Sequence, residues 1–130
     1  MESGKLKQFE YWKETAERDH AAMLHLFENK DFQWSLFMGH LVIEKLLKAF
    51  YVKMKNAQPP LIHDLLRIAE KAGLELTNKQ MDTLDTITTF NLRARYDDYK
   101  MLFYKKCTLE YTKKWIKEIE EFTEWIKTKL

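Results

Sequence analysis

"FQWSLFMGHLVIEKLLKAFYVKMK", Phe32 to Lys55, is the stretch whose reading decides the fold. Leu36, Ile43, Leu47, Phe50 and Met54 are separated by helical steps and share one stripe, while Phe37, Leu41 and Tyr51 form an adjoining one. A helix that is apolar over two stripes has neighbours on more than one side, so it belongs at the centre of a bundle. "NAQPP", Asn56 to Pro60, ends it, because proline carries no N–H for the ladder and restricts the residue before it.

Working outward, an earlier helix runs from about Leu6 to Glu28, with Phe9, Trp12, Ala16, His20, Met23 and Phe27 on one side. "ENKD" interrupts the pattern, and Asp31 is placed to cap the central helix. After the prolines a short helix spans about Leu61 to Ala72 and stops at Gly73. Thr77 and Gln80 make a capping box for a fourth helix that reaches about Phe90, with Met81, Leu84, Ile87 and Thr88 inward. The last helix starts near Thr108 and continues almost to Leu130, turning Tyr111, Trp115, Ile119, Phe122, Trp125 and Ile126 to one side. The expected fold is therefore all-α: an antiparallel up-and-down bundle of four long helices plus one short helix, in a single domain covering 1–130.

Bulk properties agree. The 130 residues contain only 3 Gly and 2 Pro, which disfavours a turn-rich β fold. A formal charge of +2 is too small to argue for nucleic-acid binding by itself, so an anion site would need local clustering. The one cysteine, Cys107, rules out an intrachain disulfide and a thiolate cluster. The charged amino-terminal stretch lacks a signal peptide's apolar core, and no long apolar run suggests a membrane span. A cytoplasmic protein is expected.

Familiar catalytic patterns are missing. Gly4, Gly39 and Gly73 are isolated, so there is no glycine-rich phosphate loop. His20 and His25 stand about 140° apart around a helix and cannot chelate one ion; neither metal nor cofactor is expected. Polar residues do interrupt the apolar stripes: Arg18 and Asp19, then His40, Glu44, Lys45 and Lys48, then His63 and Asp64. Glu44 and Lys48 are spaced for an ordinary ion pair, and Asp64 suits a helix start. "NLRARYDDYK", Asn91 to Lys100, reads as the connection between the last two helices. From Asn91 to Lys106 five basic residues face two aspartates, Asp97 and Asp98. Arginine forks suit phosphate, and a tyrosine can stack on a base. The same residues also suit a solvated turn with internal ion pairs.

Taken in order, "WKETAERDHAAMLHLFENKDFQWSLFMGHLVIEKLLKAF", "PPLIHDLLRIAEKAG", "NLRARYDDYK" and "TLEYTKKWIKEIEEFTEWIKTKL" resemble the HEPN family, the higher eukaryotes and prokaryotes nucleotide-binding domain. The most specific parts are Ala16–Asp19, Glu44-Lys45 with Lys48-Ala49, His63-Asp64-Leu65 and Arg95-Tyr96. The resemblance implies a helical bundle, usually paired as a homodimer, with a minimal nucleotidyltransferase as partner, in many cases as a toxin–antitoxin pair. Its ribonuclease members carry an Arg with a His after four to six intervening residues, ahead of the last helix. Here neither Arg93 nor Arg95 is followed by such a His, and no histidine occurs after His63. Moving the proton of a ribose 2′-hydroxyl near neutral pH is best done by an imidazole. The expectation is thus a non-catalytic nucleotide- or RNA-binding module with no catalytic residues of its own. Its candidate contacts are Arg93, Arg95 and Tyr96, with Lys45, Lys48 and His63 as neighbours. A metal-independent ribonuclease toxin is one alternative. The other is a dimeric assembly scaffold in which Trp34, Trp115 or Trp125 lies at the interface.

Overall fold

The structure, a computed structural model, describes residues 3–130, and of Asp97 the backbone alone. Among the described residues every regular element is a helix: α1 (Ser3–Glu28), α2 (Phe32–Lys55), α3 (Leu65–Lys71), α4 (Asn78–Arg95), α5 (Asp97–Lys106) and α6 (Leu109–Lys127). α2 is the axis of the bundle. Thirteen of its 24 residues are buried, which is possible only because α1, α3, α4 and α6 all pack on it. The chain turns from α1 into α2 through Lys30 in a left-handed conformation (φ 64°), so the two longest helices form an antiparallel hairpin.

Helix ends follow local chemistry. Thr77 and Gln80 form the expected reciprocal capping box, and Thr108 accepts from the Tyr111 amide at the start of α6. Asp64 caps α3 by accepting from the Arg67 amide, which places the start of that helix at Leu65 rather than near Leu61. Asp31 makes no side-chain cap bond, contrary to expectation. Met54 also departs from its assigned stripe; it sits in the last turn of α2 beyond the packed neighbours and is 54% exposed. The expected four long helices and one short one become six. α4 continues through Arg95, and the presumed connection contains α5. Only Tyr96 separates them, extended (φ −95°, ψ 132°), ending one helix and opening the next.

Close approach sets the core. The α2 hydroxyl of Ser35 donates to the Met23 carbonyl of α1 at 2.8 Å. One turn on, Gly39 has no room for a side chain, since a Cβ there would run into Ile119 Cδ1 of α6 and lie 3.1 Å from Met23 Sδ. Trp34, Trp115 and Trp125 are half-buried against this core, with Trp115 edge-on to Phe90. No helix among the described residues is long and apolar enough to cross a membrane. Gly39→Val should destabilise the bundle by about 1–3 kcal/mol through overpacking, read as a lower urea midpoint with an unchanged slope.

Candidate functional site

His40, Glu44 and Lys48 lie at four-residue spacing on α2, so they form a polar stripe along one face of an otherwise apolar helix. All three are buried. Buried charge is tolerated only when it is paired and hydrogen-bonded, and Glu44 is satisfied on both oxygens. Oε2 accepts from Lys48 Nζ at 3.1 Å, and Oε1 accepts from His63 Nδ1 at 2.9 Å. His40 Nε2 is 3.8 Å from the same Oε1. Lys48 also lies over the Trp12 ring of α1, 5.4 Å from its centroid.

His63 arrives from the segment that "PPLIHD" places before α3. That segment is fixed twice: the Asp64 cap on α3, and the Leu65 amide donating to Thr88 Oγ1 of α4 at 3.0 Å. The His63 carbonyl accepts from His40 Nε2 at 3.0 Å. A carbonyl can only accept, so His40 carries its proton on Nε2 and presents Nδ1 as an acceptor. Asn91 of α4 meets it there, with Nδ2 at 3.5 Å from Nδ1. The amide oxygen of Asn91 is then turned the other way and accepts from Arg95 Nε at 2.8 Å, while the Asn91 carbonyl accepts from the same nitrogen at 3.1 Å. A continuous polar chain thus runs from Lys48 through Glu44, His63, His40 and Asn91 to Arg95. Lys48, Glu44, His40 and Asn91 are buried. The His63 imidazole (65% exposed) and the Arg95 guanidinium face solvent.

Arg95 is held through Nε alone. Its two terminal nitrogens have no protein partner among the described residues, and its guanidinium lies 5.3 Å from the centroid of the Tyr96 ring. A fork anchored at its base with its tips outward is the arrangement that meets a carboxylate or phosphate in two-point fashion.

The remaining candidate residues are elsewhere. Two residues on a helix turn through about 200°, so Arg93 points away from Arg95. Arg93 lines a cleft of ≈ 230 Å³ with Tyr99, Leu102, Phe103 and Lys106. Lys45 is committed to Asp19 of α1 at 2.6 Å, a contact that joins the hairpin. Asp97, one of the two acids counted near the arginines, has its side chain outside the described residues; Asp98 is exposed in the first turn of α5. Arg95, Tyr96, Lys48 and His63 therefore belong to one constellation, and Arg93 and Lys45 do not. His40, Glu44 and Asn91 are the members that were not among the expected contacts. The i, i+4 spacing of His40, Glu44 and Lys48 inside an apolar helix was the available signal for the first of them.

Burial holds the His40 pKa below the usual imidazole value; the charges of His63 and Arg95 act in the same direction, against the His63 carbonyl bond and Glu44. Near Arg93, burial pushes the Cys107 thiol up to about 12 and raises the Tyr111 phenol, so neither is an ionised nucleophile at neutral pH. No group of three His, Cys, Asp or Glu among the described residues is placed to hold a metal ion.

A family model, HEPN domain, matches residues 9–129. The chain belongs to the HEPN domain family. No curated protein and no solved structure matches it. The match spans every element of the site, from Trp12 beneath Lys48 to Arg95.

Glu44→Ala should cost about 3–5 kcal/mol in urea unfolding, because it strands the Lys48 ammonium. Glu44→Leu combined with Lys48→Met should recover most of that loss. Burial lowers the folded His40 pKa below the ordinary 6.5 that the unfolded chain regains, so the unfolded chain binds more protons as pH falls through 6.5. Stability is then retained above that pH and falls as pH drops through and below it, which acid titration of the urea midpoint will show.

Proposed function

We propose that this HEPN protein is a nucleotide- or RNA-binding module that captures phosphate at Arg95, beside the Tyr96 ring. The observation that carries this reading is the Arg95 fork, fixed through Nε by Asn91, with no partner at its tips among the described residues and an aromatic ring beside it. Lys48 supports the site from beneath by neutralising Glu44; it does not reach out to a ligand. The reading is one of binding rather than cleavage. The positions where the family's ribonucleases carry their histidine hold Asp98, Tyr99, Lys100, Met101 and Leu102, on α5. None of these side chains ordinarily takes up a proton near neutral pH.

Calorimetric titration with ATP tests it. Micromolar binding is expected, weakened at least tenfold by Arg95→Ala and unaffected by Arg93→Ala, since the two arginines face apart. Equal loss in both variants, or no binding by the folded wild type, would overturn the assignment.

The proposal includes assembly: a homodimer, working with a minimal nucleotidyltransferase in a toxin–antitoxin-type pair. Of the eleven exposed large hydrophobics among the described residues, seven lie between Leu92 and Leu109. On α5 itself only Phe103 is a buried large side chain, whereas Met101, Leu102 and Tyr104 are each more than 60% exposed. Such concentration marks an interaction surface, and a second copy of the chain is the occupant the family suggests. Sedimentation equilibrium at micromolar concentration should give a dimer for the wild type and a monomer for Leu102→Asp/Tyr104→Asp. A monomeric wild type would remove the dimer from the proposal.

A further inference from the structure

Away from Arg95, the outer face of α6 carries a segregated charge pattern. Lys113, Lys117, Glu120 and Glu124 follow one another at steps of four, three and four, which sets them in a single line along the helix. Like signs stand one turn apart: lysine over lysine in the first half, glutamate over glutamate in the second. Such pairs disfavour an isolated helix. Lys117 does meet Glu121 at 4.0 Å, but with lysine on the N-terminal side, the less favourable order.

The same line borders a groove. A shallow depression of ≈ 500 Å³ between α6 and the end of α1 is lined by Phe27 and Ile116, together with Lys113, Lys117, Glu120 and Glu124. One of its carboxylates is held in place: Glu120 Oε2 accepts from His20 Nε2 of α1 at 3.1 Å, and its side chain is still 44% exposed. The groove shares no residue with the exposed apolar patch between Leu92 and Leu109.

We infer that this face of α6 binds the same face of a second copy, antiparallel, about a twofold axis level with the peptide between Glu118 and Ile119. That one axis sets Lys113 opposite Glu124 of the partner subunit and Lys117 opposite Glu120 of the partner subunit, and symmetry makes each pair twice. Every like-charge step along the line is then faced by the opposite sign, and Phe27 and Ile116 are covered in the process. A foreign helix needs this complementary order of signs at matching steps; a second copy already has it. Ion pairs in water are individually weak, so the contact is one populated toward ~1 mM rather than at micromolar concentration. It depends neither on phosphate capture nor on the α5 contact, and it joins dimers made through α5 into tetramers.

Sedimentation equilibrium of the full chain at low salt, from ~10 μM to ~1 mM, gives the test. The mass should double across that range, whichever species is present at its lower end, and salt at ~0.5 M should suppress the step. Lys113→Glu and Glu124→Lys should each weaken the association roughly tenfold, because each breaks two symmetry-related pairs and opposes like charges. The double variant Lys113→Glu/Glu124→Lys exchanges the two signs and should regain wild-type association. Lys114→Glu makes the same charge change on an exposed lysine outside the groove and should leave the association unchanged. Lys113, Lys114 and Glu124 are all exposed, so the substitutions spare the core. No rise in mass up to ~1 mM overturns the pairing and leaves the groove to a foreign helix. Weakening by Lys114→Glu equal to that by Lys113→Glu, or a double variant that does not recover, overturns it as well.

Discussion

One carboxylate organises this molecule's polar interior. Glu44 sits in the middle of α2, buried on all sides by a helix whose other positions are mostly hydrocarbon, and a lone charge there would be prohibitively unfavourable. Its two oxygens need donors, and they draw in Lys48 from the next turn and His63 from a separate segment. That second demand positions the chain between α2 and α3. It brings the His63 carbonyl over His40, and through His40 and Asn91 it orders Arg95 on α4. The fold supplies the apolar frame, and the carboxylate decides how the polar side chains within it are arranged.

Much of the frame was legible in the chain itself. α2 announced its central place through two adjoining apolar stripes, and the Thr77–Gln80 box and the Thr108 start marked helix beginnings that the structure contains. α5 was not legible, for a physical reason. Amphipathic periodicity reveals a helix only when one face is buried, and α5 buries little more than Phe103 while apolar side chains remain exposed around it. The density of Arg, Asp and Tyr in "NLRARYDDYK" then imitated a solvated loop. The break between α4 and α5 is a single residue, too brief to leave a mark in composition.

The candidate site divides along the same line. Arg95, Tyr96, Lys48 and His63 came from residue type and family motif, and one polar chain links them. Arg93 looked equivalent to Arg95 only while the segment was read as a loop, in which neighbouring side chains can turn the same way. Helical geometry separates them, placing Arg93 beside Phe103 and Lys106. Lys45 shows the opposite limit. Sequence put it next to Glu44, but its partner, Asp19, lies on another helix, and only packing reveals that contact. Asn91 was visible as a polar residue near a helix end; its role depends on which way its amide faces, and that is set by the tautomer of a histidine fifty-one positions away.

Tyr96 serves two helices at once: its amide closes α4 on the Leu92 carbonyl, and its own carbonyl receives the Tyr99 and Lys100 amides at the start of α5. Its ring meanwhile lies beside the Arg95 guanidinium. The joint is therefore a shared bearing with no slack residue between the two helices. Any tilt of α5 against α4 thus pivots one residue from the Arg95 guanidinium.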